Sequence, residues 1–394
     1  MREVVIVEAG RSAVGKRNGT LSQAHPADVL GPVQMEVLRR AGIEPAQVDQ
    51  VVGGIINKVG AQAMNLTRTA WLSHGGAEST ACSTVDSQCG SSQYALGLAT
   101  SLIGSGAEDV VMACGVEAMS LLPIGSDAAD GAQAGHGKPI SRTYRRYYEF
   151  TSQFEGAERI CDKYGITREE ADRFGLESQI RARRALDEGR FETQIVPVEA
   201  PVIGANGQRT AETTTFTRDE IPRDTSLEKL AQLKPVARPD GVHTAGSSSQ
   251  IADGAGAVLL MAAEKAAELG LRPRARVLQT ALVGCDPVLM LEGPIPATEK
   301  VLARQGMRLG DVDVVEINEA FASVVLAWAQ QLRPDMAKVN PNGGAIALGH
   351  PLGGTGTILV TKALHELERS DGEVGLITMC CGGGLGTGTI IERL

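Results

Sequence analysis

Residues 37–51 read VLRRAGIEPAQVDQV, and residues 301–315 read VLARQGMRLGDVDVV. Seven of these fifteen positions are identical: Val37/Val301, Leu38/Leu302, Arg40/Arg304, Gly42/Gly306, Val48/Val312, Asp49/Asp313 and Val51/Val315. Average composition would give about one match by chance. Each copy predicts a helix closed by a glycine, a short loop and a buried strand. A repeat of this kind predicts a duplicated unit, although two unrelated helix–strand units could share the pattern.

The similarity extends outward. At a spacing of 261 residues, the segment around Cys89 (VDSQCGSSQYALGLATSLIGSGAEDVVMACG) faces the one around His350 (IALGHPLGGTGTILVTKALHELERSDGEVGLITMCCGG). Each has small residues, a helix of about four turns, a turn and an apolar strand. The strands VVMA (110–113) and GLITM (375–379) lack polar alternation, as expected for strands covered on both faces by helices. The predicted architecture is α/β: one half over 1–125, an insertion over 126–250 and a second half over 251–394, its repeated unit starting near 270. The insertion carries a basic–aromatic run, RTYRRYYEF (142–150), an amphipathic helix at 167–189, an irregular Thr/Pro-rich stretch, and HTAGSSSQIADG (243–254). It reads as a lid over the core. The basic run fits a rim for phosphates, a solvated loop or a subunit contact.

Bulk properties narrow the function. The chain has 394 residues, 43% hydrophobic and 22% charged, with a net charge of −9. That leaves no electrostatic footprint for nucleic acid. No window approaches the 18 or more apolar residues of a membrane span, and the N-terminus, MREVVIVEAGRSAVG, reads as strand then loop rather than a signal peptide. Seven cysteines at irregular spacing predict free thiols in a reducing compartment, hence a cytoplasmic protein. Glycine is abundant, 47 of 394 residues, and concentrated in GAIALGHPLGGTG and CGGGLGTG, where backbone must turn sharply or approach something closely.

Four residues stand out. Cys89 lies between an extended segment and a helix, where the helix dipole and free backbone N–H groups favour a thiolate; a buried structural thiol fits the same place. His350, between Gly349 and Pro351, would be held at a fixed angle, and Cys–His proximity is the geometry that activates a thiol. Cys380 ends an apolar strand at a glycine run, suited to acid–base work beside backbone N–H oxyanion donors. Strand alternation lets only one of Cys380 and Cys381 face a site, and adjacent cysteines form a disulfide only with strain. No CxxC or HxxxH spacing suggests a metal. Asn318, beside Glu319 after a predicted strand, could hold a water or carbonyl oxygen or simply cap the following helix, which buries Phe321, Val324 and Val325.

Together, SQCGSS, HTAGSSSQIADGA, INEAFA, NGGAIALGHPLGGTG and CCGGGLG, in this order and spacing, resemble the thiolase family across the whole chain. The degradative thiolases of actinobacterial steroid catabolism are the nearest resemblance. It implies two five-stranded α/β halves in a layered αβαβα core with an inserted loop domain. It also implies an acyltransferase that cleaves 3-oxoacyl-CoA, with coenzyme A as co-substrate, no permanent cofactor or metal, and a homodimer or homotetramer. By resemblance, Cys89 matches the acyl-carrying nucleophile, His350 its activator, and Cys380 the acid/base cysteine. Asn318 matches the residue holding a catalytic water, and the backbone N–H groups of Cys89 and Gly382 match an oxyanion hole. Ser249, Phe321 and Arg223 match CoA contacts. The chain departs from biosynthetic members at SQFEGAE (152–158), where they carry His-Met-Gly, and at Gln250, where glycine is common. A biosynthetic acetoacetyl-CoA thiolase, a condensing enzyme of the same fold and a non-catalytic lipid-binding relative are the alternatives.

Overall fold

The computed structural model describes residues 2–204 and 208–394. In the first half, β1 (Val4–Ser12) leads to α1 (Pro26–Ala41), β2 (Gln50–Gly54), α2 (Leu66–Ser73), β3 (Ala81–Val85), α3 (Ser91–Gly104) and β4 (Val110–Ala118). The insertion follows, with α4 (Gln153–Tyr164) and α5 (Arg168–Asp187), and then β5 (Ala252–Ala262). The second half contains β6 (Ala275–Gly284), α6 (Pro294–Gln305), β7 (Val314–Ile317), α7 (Ala322–Leu332), α8 (Ala345–Leu348), α9 (Thr355–Ser370), β8 (Val374–Cys381) and β9 (Leu385–Arg393).

The quoted repeat folds as its letters predict. Gly42 and Gly306 close α1 and α6 in the left-handed conformation, at φ 69° and 63°, where a glycine carries no Cβ penalty. Asp49 accepts hydrogen bonds from the backbone N–H groups of Asp109 and Val110, and Asp313 accepts the same pair from Glu373 and Val374. These pairs fix a spacing of 264 residues for the repeated unit and its closing strand (313 minus 49; 374 minus 110), and the central helices keep it, starting at Ser91 and Thr355. That corrects the pairing expected at 261. The counterpart of Cys89 is Gly353, and His350 lies opposite Asp86.

Strand order is β7-β8-β9-β6-β1-β5-β4-β2-β3, so the two half-sheets mirror each other across a short antiparallel contact, Val5↔Arg276 and Ile6↔Ala275. The first half has five strands. In the second, the counterpart of β3 shrinks to a single parallel bridge, Val315↔Val339. Helices α1 and α2 cover the outer face of one half-sheet, α6 and α7 that of the other, and α3 and α9 lie between them. Both faces of β4 are therefore buried: Val110, Met112, Cys114 and Val116 face the α1 side, while Val111 and Ala113 face the central helices. The absence of polar alternation is thus explained.

One boundary moves. β5, expected in the second half from residue 251, pairs with β1 and β4. The insertion is therefore a loop within the first half, and that half closes only at Ala262. Its helix at 168–187 begins with a capping box, Thr167 and Glu170. The stretch expected to be irregular contains an antiparallel ribbon, Val198–Ile203 with Arg209–Phe216. RTYRRYYEF makes one 3-10 turn and lies exposed, with Tyr147 at 75% and Phe150 at 52%.

Candidate active site

The central helices start almost in contact. A Cβ on Gly356 of α9 would lie 2.2 Å from the backbone nitrogen of Gln93 in α3, so only glycine lets these N-termini approach so closely. The loops entering the two helices consequently meet in one cleft, lined by Cys89, His350, Cys380, Gly382, Ser249 and Phe321.

Cys89 reaches the cleft from a tight elbow. Gln88 takes a left-handed conformation, φ 55°, held by a hydrogen bond from its N–H to Asp86 Oδ1 at 2.7 Å. The Ser87 N–H donates to Ser91 Oγ at 3.0 Å. A non-glycine residue at positive φ is strained unless its surroundings hold it. The thiol receives backbone hydrogen bonds from Gly382 and from its own residue, but burial outweighs them and pushes it up to about 11. Burial thus opposes the pull toward the thiolate that the helix terminus exerts.

His350 is buried at 3% exposure. Thr355 Oγ1 donates to Pro351 O at 2.8 Å, so its lone pair is free to accept from His350 Nδ1, 2.7 Å away. That assigns the proton to Nδ1 and leaves Nε2 as the acceptor, facing Asn318 Nδ2 at 3.3 Å. Burial pulls this histidine down to about 4, so a neutral imidazole with a free Nε2 lone pair persists across the physiological range. Thr355, five residues beyond His350 in the same glycine-rich block, was not singled out from sequence; a hydroxyl at the first turn of α9 was its only signal.

Cys380 and Cys381 separate as alternation requires. Cys380 lines the cleft, whereas Cys381 packs behind the elbow, where a Cβ on Gly90 would lie 2.5 Å from its sulfur. Burial and the nearby Cys89 push the Cys380 thiol well above its ordinary value. Asn318, at the end of β7, touches the cleft only through His350. Beside it the buried Glu319 accepts from Ser178 Oγ (2.7 Å), Asn340 Nδ2 (2.9 Å) and Ile346 N–H (3.1 Å), tying α5 of the insertion to the loop that carries His350. This structural use of Glu319 was not legible from sequence either.

Ser249 and Phe321 line the cleft, with the Ser249 N–H donating to Ala320 O at 2.9 Å. Arg223 does not line it. It sits behind Gln250, donating to Gln250 Oε1 at 3.4 Å and Ala245 O at 3.1 Å, and borders a surface groove with Arg183 and Arg184. The remaining cleft wall is largely apolar, with Met119, Ile124, Phe154, Ile251, Leu291 and Leu352. Phe154, from SQFEGAE, meets Phe321 edge-on at 5.6 Å.

Comparisons agree with this geometry. Residues 4–264 match the thiolase N-terminal domain and residues 271–393 the thiolase C-terminal domain. The chain is 46% identical over 398 residues to a steroid 3-ketoacyl-CoA thiolase of Mycobacterium tuberculosis, covering 100% of this chain and 95% of that protein. It is 41% identical over 407 residues to a beta-ketoadipyl-CoA thiolase of Pseudomonas aeruginosa, covering 100% of both. The solved acetyl-CoA acetyltransferase of Bacillus anthracis superposes with a TM-score of 0.90 at 38% identity, covering 100% of this chain and 99% of that one. The chain belongs to the thiolase family.

Proposed function

We propose that this acyltransferase is a degradative thiolase that cleaves 3-oxoacyl-CoA bearing a bulky apolar acyl group, of the kind produced in steroid or fatty-acid breakdown. The observation that carries the reading is the convergence of Cys89, His350, Cys380 and the Gly382 N–H on one apolar cleft. His350 Nε2 takes the Cys89 proton as sulfur attacks the 3-keto carbon. The C2–C3 bond then breaks, and its electron pair passes to an acetyl-CoA enolate (propionyl-CoA from a 2-methyl substrate). The enolate oxygen is stabilised by the protonated Nε2 and by a water held at Asn318, and Cys380 protonates the enolate carbon. Free CoA enters next and gives its thiol proton to Cys380. Its sulfur attacks the acyl-enzyme, whose oxyanion lies against the Cys89 and Gly382 N–H groups; the bond from acyl carbon to Cys89 sulfur then breaks, His350 Nε2 returns its proton to that sulfur, and a shortened acyl-CoA leaves. The two partial reactions need a proton donor and acceptor of matched strength, which suits a thiol.

Ser249 and Phe321 are assigned to the pantetheine arm of CoA and Arg223 to its phosphate–adenine end. The exposed edge strand β3 supports a homodimer or homotetramer. Among the described residues no helix is long and apolar enough to cross a membrane, in keeping with a cytoplasmic enzyme. A thiolysis panel from acetoacetyl-CoA to steroid-sized 3-oxoacyl-CoA tests the reading. Higher kcat/KM for the bulky members supports it; a preference for acetoacetyl-CoA overturns the degradative assignment, and no turnover of any member overturns catalysis.

A further inference from the structure

A second, small cavity with room for about one water lies next to His350. It shares no lining residue with the Cys89 cleft, yet both partners of the His350 ring, Thr355 and Asn318, border it, together with Arg11 and Lys362. Lys362 is only 3% exposed and donates to Glu316 Oε2 at 2.7 Å and Gly343 O at 2.8 Å. An ammonium has three N–H groups, so one remains. Asn318 is fully buried, and its Oδ1 finds no partner among the described residues.

The two ends of an asparagine amide have nearly the same shape, so hydrogen bonds decide which end faces which neighbour. His350 Nε2 offers a lone pair and needs a donor, which places Asn318 Nδ2 toward it and leaves Oδ1 in need of a donor of its own. A polar cavity with several such partners is where a protein holds buried water.

We infer that this cavity binds an ordered water that accepts from Lys362 Nζ and donates to Asn318 Oδ1, making Lys362 a positioning residue for the Asn318 amide. An ammonium can only donate, so a water bound to it turns its lone pair inward and its hydrogens outward. The direction then carries through the chain: Lys362 N–H to water, water O–H to Asn318 Oδ1, Asn318 Nδ2–H to His350 Nε2. When Nε2 takes the Cys89 proton it becomes a donor, and Nδ2, released from it, is left to hold the water that meets the enolate oxygen beside it. Arg11, held bidentate by Asp219 at 2.8 and 2.9 Å, is the other charged side chain that borders this otherwise largely apolar cavity.

The inference rests on the proposed role of Asn318, and its test has one arm that needs no activity. A crystal structure of the full chain that resolves ordered water is expected to show one within hydrogen-bond distance of both Asn318 Oδ1 and Lys362 Nζ. A cavity without that bridging water overturns the inference and leaves Cys89 acylation untouched. In the kinetic arm, K362M/E316Q removes the buried pair as a unit, which avoids stranding one charge, and E316Q alone keeps Lys362 as donor. The double variant should lose about tenfold in kcat, the worth of one oriented hydrogen bond, with KM for acyl-CoA within about twofold of wild type. E316Q alone should stay within about twofold on both counts. A folded double variant with wild-type kcat, or an equal loss in E316Q, overturns the positioning role. Should the double variant not fold, the wild-type crystal decides.

Discussion

The two halves share a scaffold and differ in the loop that enters the central helix. In the first half, β3 is a full strand and the path from its pairing residue Cys82 to the start of α3 at Ser91 is short, which places a cysteine at the elbow. In the second, the strand is reduced to Val339, and a longer path to Thr355 folds into α8 and the His350 loop. The position equivalent to Cys89 is Gly353, where a Cβ would lie 2.7 Å from Gly54 O and 2.8 Å from Glu117 Oε2. Duplication thus supplies two helix N-termini, but packing leaves room for a side chain at only one of them. The other presents its imidazole from further back. A symmetric scaffold has become an asymmetric pair, sulfur from one half and imidazole from the other.

The largest expected effects separate the cysteines of the two halves. Cys89→Ala should lower kcat on the order of 10⁴-fold and abolish acylation, with little change in thermal midpoint. Cys380→Ser should still form some acyl-enzyme but turn over about 10² to 10⁴-fold more slowly. Full activity of Cys380→Ser in a thiolysis assay would remove Cys380 from proton transfer and leave His350 as the second half's contribution.

Next in size is the pair of equivalent positions in the two elbows. Gly353→Ala should cost about 1–3 kcal/mol by overpacking and displace the His350 loop, whereas Cys89→Gly should change stability far less. Equal denaturant midpoints for the two variants would refute the packing origin of the asymmetry.

The pH response distinguishes a resting thiol from a resting thiolate. With Cys89 raised to about 11 and His350 lowered to about 4, alkylation of Cys89 by iodoacetamide should keep rising beyond pH 8.5, the ordinary thiol value. A plateau below pH 8 would mean a preformed ion pair. The buried neutral His350 also sets a sign for stability. The unfolded chain binds its proton below about 6.5 and the folded chain only below about 4, so this residue's contribution falls as pH drops through that window. His350→Asn should remove that component.

The smallest effect tests the duplication itself. Asp49→Asn and Asp313→Asn should each cost about 1 kcal/mol at pH 7, the worth of the paired backbone hydrogen bonds. The Asp313 carboxyl is held below its ordinary range by the Val374 and Glu373 N–H groups against the opposing pull of burial. Its benefit is therefore complete above about pH 4 and lost as pH falls through its lowered value. Denaturation of each variant against pH measures it, and sharply unequal costs at neutral pH would deny the equivalence.

Much of this was legible in the letters. VLRRAGIEPAQVDQV and its copy specify helix, glycine cap and strand locally, and the glycine-flanked cysteine and histidine are local features too. What escaped depends on distant packing. The spacing of 264 rather than 261 required knowing which strands pair, because the longer loop before His350 disguises it. β5 lies beyond the insertion in sequence yet completes the first sheet, and nothing in ADGAGAVLLMA names its partners. The helix terminus that favours a Cys89 thiolate can be read from sequence, while the burial that opposes it cannot. Glu319 and Lys362 act through partners far away in sequence or through a cavity, and no spacing announces them; Thr355, close to His350 in sequence, offered only a hydroxyl at a helix start.

The most direct test of the central claim is intact-protein and peptide mass spectrometry after mixing the enzyme with a 3-oxoacyl-CoA and no free CoA. The account predicts one acyl group on Cys89, one equivalent of acetyl-CoA released (propionyl-CoA from a 2-methyl substrate), and loss of the adduct when CoA is added. An adduct on Cys380 instead, or release of the short acyl-CoA with Cys89 unmodified, would contradict it.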